Sequence, residues 1–79
     1  MKTMTCRQLG GACDLEFQAE TFDEMAALSQ QHGMEMLRNN DPAHLAAMRE
    51  MQARMKDPDE MAAWFEARKA EFESLPHRP

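Results

Sequence analysis

Apolar side chains near the start of this chain recur at every second position. Leu15, Phe17 and Ala19 alternate with charged and amide side chains, which is typical of a strand with one buried face. Upstream, Gly10 and Gly11 offer residues that accept the positive φ angles of a tight two-residue turn. The first twenty residues are therefore predicted to form a β-hairpin.

The length of the turn decides which side chains share a face of this hairpin. With a two-residue turn at either Leu9-Gly10 or Gly10-Gly11, Cys6 and Cys13 point to the same side. The same face then carries Met4, Leu15 and Phe17. A three-residue loop would instead place the two cysteines on opposite faces.

After residue 20 the apolar spacing changes to a helical period. Thr21 and Glu24 have the spacing of a capping box, so helix one is predicted from about residue 22 to about residue 38. Asn39 and Asn40 follow and can take the left-handed conformation that ends a helix. The predicted buried face comprises Phe22, Met25, Leu28, Ser29, His32 and Met36.

Two Asp-Pro pairs predict the starts of two further helices. Asp41 and Asp57 are good N-caps, and Pro42 and Pro58 fit the first helical position. Helix two carries its apolar face on His44, Met48, Met51 and Met55. Helix three carries its own on Met61, Trp64, Phe65, Arg68, Phe72 and Leu75, and the tail 77–79 is predicted to fray. The fold class is therefore α+β, an N-terminal two-stranded antiparallel β-hairpin followed by three α-helices in one small domain, 1–79.

Size and charge narrow the range of functions. At 79 residues a hydrophobic core alone gives marginal stability, so a bound metal or a disulfide would help. The net charge is -5 and the basic residues are spread out, which argues against nucleic acid or an anionic membrane as a partner. No signal peptide or transmembrane segment is recognisable, so we expect a cytoplasmic protein, where thiols stay reduced or bind metal.

Simple lengths bring His32 back to the level of the cysteines. The strand from Cys13 to Ala19 carries the chain on the order of 20 Å away from the turn. The ten residues from Phe22 to His32 then return roughly 15 Å along helix one. Thiolate and imidazole are ligands that zinc prefers, so Cys6, Cys13 and His32 form a candidate zinc site.

A structural zinc site nearly always needs four ligands. His44, at the start of helix two, is the candidate for the fourth, although spacing alone does not establish its reach. Two alternatives stay open at this point. The thiols of Cys6 and Cys13 could form a reversible disulfide, or they could simply pack in the core beside a structural histidine.

The chain also resembles a known family. Its landmarks are the segment 4–17 (MTCRQLGGACDLEF), the pair Thr21 and Glu24, and the run Gln31-His32-Gly33. These are similar to the small bacterial family catalogued as domain of unknown function 1059, also described as predicted small metal-binding proteins. The resemblance covers about residues 4–56 and implies that Cys6, Cys13 and His32 are metal ligands. Members of that family often carry a second histidine where this chain has Met36. Residues 57–79 are then an added C-terminal lid helix.

The runner-up hypothesis is a helical protein-interaction or self-association module whose cysteines are purely structural. Trp64, Phe65 and Phe72 are its candidate anchors, in a homodimer or with another protein. The nine methionines fit a core filler better than a copper(I) site, because they recur at core spacing. No catalytic set of residues stands out, so we do not expect an enzyme.

Overall fold

The computed structural model describes residues 1–77 and has the predicted α+β architecture. Its elements are β1 (Lys2–Thr5), a 3-10 turn (Arg7–Leu9), β2 (Glu16–Ala19), α1 (Phe22–Arg38), α2 (Pro42–Arg54) and α3 (Pro58–Ser74). The two strands pair antiparallel, with Met4 opposite Phe17. His77, predicted to fray, has its ring near Met1 and Glu20. The rest of the predicted frayed tail lies outside the described residues.

All three helices begin at the predicted caps. The Thr21 hydroxyl accepts a hydrogen bond from the backbone N–H of Glu24, and the Asp41 carboxylate accepts one from His44. Asp57 caps α3 by accepting from the backbone N–H of Asp59. Helix one ends as predicted, because the chain turns through a left-handed residue, Asn40 at φ 55°.

The connection between the strands differs from the predicted tight turn. It spans residues 6–15 and contains the 3-10 turn. The antiparallel pairing was predicted correctly, and Met4, Cys6 and Phe17 of the predicted face are buried. The Thr5 backbone N–H donates to the side-chain oxygen of Gln8, while the Gln8 backbone N–H donates to the Thr5 hydroxyl. These local bonds divert the chain before the glycines, and Gly10 then ends the 3-10 turn at φ 93°. Leu15 lies outside the strand and is exposed, contrary to the prediction.

The core forms where the hairpin packs against α1. Its buried side chains are Met4, Cys6, Leu9, Phe17, Ala19, Met25 and Phe72. Helix α2 then packs against α1 at the end nearest the loop of residues 6–15. Leu28, predicted on the buried face of α1, lies at the surface instead, because the hairpin covers a narrower stripe than the periodicity suggests.

Helix α3 covers the core with its C-terminal half. Phe72 is buried and meets the ring of Phe22 edge-on at 5.9 Å. Trp64, expected to be largely buried, is only partly covered, and Phe65 is 46% exposed. The end of α3 is therefore packed on the core, whereas the predicted burial of Trp64 is wrong. Among residues 1–77, no helix combines the length and the hydropathy needed to cross a bilayer.

Candidate metal centre

Four side chains from four separate segments converge on one point of the fold. They are Cys6, which directly follows β1, Cys13 in the loop before β2, His32 on α1, and His44 in the first turn of α2. One ligand atom from each lies within 4.8 Å of the other three. The structure thus brings together all four residues predicted as candidate ligands, and these residues could hold a metal ion.

Two distances within the cluster match those between neighbouring ligands of a tetrahedral site. The Cys13 Sγ and His32 Nε2 atoms lie 3.3 Å apart, and the Cys6 Sγ and His44 Nε2 atoms lie 3.6 Å apart. Around a tetrahedral zinc with bonds of about 2.0–2.3 Å, neighbouring ligand atoms are separated by about 3.3–3.8 Å. The two measured pairs fall in this range.

The loop of residues 6–15 holds the two cysteines beside each other. The Cys6 backbone N–H donates to the Leu15 carbonyl, and the Arg7 backbone N–H donates to the Cys13 carbonyl, which extends the strand pairing. The Gly11 backbone N–H donates to the Cys6 carbonyl at 2.8 Å. A Cβ atom at Gly11 would lie only 2.1 Å from the Cys6 sulfur, so this position has room for glycine alone.

The two histidine rings are held differently. His32 is half-buried between two rings, with centroids 5.7 Å from Phe17 and 5.1 Å from His44, both edge-on. His44 is buried, and its Nδ1 lies 2.5 Å from the Asp41 carboxylate. This leaves Nε2 of His44 facing the cysteines. The contact from Asp41 was not predicted from the sequence, although the Asp-x-x-His spacing at a helix start indicates it.

The two thiols have opposite electrostatic environments. The Leu15 backbone N–H, helped by the nearby histidines, lowers the pKa of Cys13 to about 7. Burial raises the pKa of Cys6 above its ordinary value. The Asp41 carboxylate raises the pKa of His44, while His44 lowers the pKa of Asp41. Cys13 is therefore the thiol that reaches the metal-binding thiolate form first.

An apolar cavity of about 300 Å³ lies against the cluster. Its wall includes the candidate ligands Cys6, His32 and His44 and the apolar side chains of Leu9, Met48 and Met51.

Both cysteines are free thiols in the structure, so the predicted disulfide alternative is not realised there. The packing of an apolar core does not by itself require two thiols and two imidazoles to lie so close together.

No family model, curated protein or solved structure matches this chain. The resemblance to the family of predicted small metal-binding proteins stays a prediction.

Proposed function

We propose that this protein is a small zinc-binding module. The observation that carries the proposal is the set of two thiols and two imidazoles whose ligand atoms lie within 4.8 Å of one another. Zinc prefers a set of two sulfur and two nitrogen ligands that are close enough to surround one ion tetrahedrally. Reduced thiols are needed for this role, which fits a cytoplasmic location.

The zinc would be structural. Four protein ligands fill a tetrahedral shell and leave no position for a reacting water molecule, which supports a non-enzymatic role. The ligands come from the loop of residues 6–15, from α1 and from α2, so a bound ion would join these three segments directly. In a chain of this size, part of the binding free energy then becomes folding free energy.

The first test is the metal content of protein purified without a chelator and without a histidine tag. Native mass spectrometry should show one zinc ion per chain. The variants Cys6→Ser, Cys13→Ser, His32→Ala and His44→Ala should each lose the ion. His77→Ala is the matched control, since His77 lies near Met1 and Glu20, away from the cluster, and should keep it. Wild-type protein that stays metal-free after incubation with zinc would refute the proposal.

A second candidate function, self-association through α3, is favoured by the apolar surface at the start of that helix. Met61 and Phe65 are 43% and 46% exposed, and Trp64 and Phe65 border a cavity of about 380 Å³. Phe72, the third predicted anchor, is buried in the core and offers little accessible surface. We propose that this surface serves a homodimer.

Light scattering after size-exclusion chromatography tests the dimer. Phe65→Ser should shift a dimer toward monomer, because it removes the most exposed ring of the surface. Leu37→Ser is the control, since Leu37 is 53% exposed on α1. A wild-type monomer at high protein concentration would exclude self-association.

A further inference from the structure

Asp41 joins the start of α2 to one of the candidate ligands. Its Oδ2 atom accepts the backbone N–H of His44 at 3.0 Å and lies 2.5 Å from Nδ1 of the same residue. We propose that Asp41 is a positioning residue for the metal: it holds the His44 ring so that Nε2 faces the ion. This inference rests on the proposed zinc site.

The chemistry of imidazole gives the contact its consequence. A carboxylate only accepts hydrogen bonds, so the proton of the neutral ring must be on Nδ1. The lone pair is then on Nε2, the atom that lies 3.6 Å from the Cys6 sulfur. Metal-bound histidines commonly use a carboxylate on the second ring nitrogen in this way.

The carboxylate is itself held in place by the helix. Asp41 is the N-cap of α2, with extended backbone angles and with Pro42 at the first helical position. One oxygen atom therefore caps the helix and orients the ring. If the cap forms, the ligand is oriented as well, before any metal binds.

The chain contains a natural control for this arrangement. Asp57 is also an N-cap followed by proline, but it accepts from the backbone N–H of Asp59 at 3.0 Å and lies at the start of α3. Asparagine caps helices about as well as aspartate. Asp41→Asn and Asp57→Asn should therefore have the same small effect on helix capping and different effects on the metal.

Zinc affinity, measured by competition with a chromophoric chelator, separates the two variants. Asp41→Asn should bind zinc about 10–100-fold more weakly, since an uncharged amide orients and polarises the ring less well. Asp57→Asn should stay within about twofold of the wild type. Equal affinities for wild type and Asp41→Asn would overturn the inference while leaving the zinc site intact.

The tautomer of His44 in zinc-free protein provides a second measurement. Nitrogen-15 NMR spectra of the neutral His44 ring should show the proton on Nδ1 in the wild type and in Asp57→Asn. Asp41→Asn should show a mixture of tautomers. A mixture already present in the wild type would overturn the orientation argument, whereas wild-type protein that binds no zinc would refute the proposed function and this inference with it.

Discussion

The two cysteines differ in access as well as in charge state. Cys6 is buried and its pKa is raised, whereas Cys13 is half-exposed with a pKa of about 7. The thiolate is both the nucleophile and the metal ligand, so this difference is measurable before any metal is added. A thiol loses its proton as the pH rises through its pKa. Cys13 therefore becomes a thiolate at a lower pH than Cys6 does.

In zinc-free protein, iodoacetamide should therefore modify Cys13 well before Cys6. The rate at Cys13 should rise with pH and reach half of its maximum near the pKa of that thiol, which is about 7. Peptide mapping by mass spectrometry follows each site separately. Added zinc should protect both cysteines, and equal rates at the two sites would contradict the assigned environments.

Gly11 is the backbone position on which the cluster depends most. Gly11→Ala places a Cβ atom 2.1 Å from the Cys6 sulfur, so the loop or the thiol must move. We expect weaker zinc binding and a lower melting temperature. Gly33→Ala is the control, because its Cβ would meet the Met48 methyl group at an ordinary 3.7 Å and alanine favours the helix interior by about 0.5–1 kcal/mol. Loss of zinc in both variants, or in neither, would contradict this reading of the loop.

At the scale of helices and strands, the features that depend on residues close together in the sequence could be predicted. The starts of α1, α2 and α3 depend on Thr21, Asp41 and Asp57, each of which bonds to a backbone N–H within three residues. The loop of residues 6–15 could not, since the Thr5 and Gln8 bonds compete with the turn that the glycines favour. Whether the His44 ring reaches the cysteines depends on how α2 packs against α1. No local sequence pattern specifies that packing.

Two phenylalanines of α3 test how that helix is held. Phe72 is 4% exposed and packs on Phe22, so Phe72→Ala should lower the free energy of unfolding by about 3–5 kcal/mol. Phe65→Ala removes the same side chain from a position that is 46% exposed and should cost much less. Urea unfolding followed by circular dichroism measures both. Equal losses would mean that the start of α3 is covered as well as its end.

At the scale of the whole molecule, a bound ion at the proposed site would support a short chain in addition to its apolar core, and Cys6 belongs to both. The core joins the hairpin, α1 and the end of α3, whereas the four candidate ligands join the loop, α1 and α2. Helix α2 contributes His44 as its buried residue. Without an ion, α2 should therefore be the helix least firmly attached to the remainder.

Zinc should raise the melting temperature of the wild type in proportion to the logarithm of its free concentration, because it binds the folded chain. A chelator should reverse the shift and increase amide hydrogen exchange, most of all in α2. His44→Ala should show no zinc-dependent shift, whereas His77→Ala should behave like the wild type. Uniform exchange in all three helices after zinc removal would contradict the separate role of the site.

X-ray absorption at the zinc edge on the loaded wild-type protein tests the central claim most directly. The ion should be four-coordinate, with two sulfur atoms at about 2.3 Å and two nitrogen atoms at about 2.0–2.1 Å. A shell made only of nitrogen and oxygen atoms, or the absence of bound zinc, would contradict the assignment of Cys6, Cys13, His32 and His44 as one metal centre.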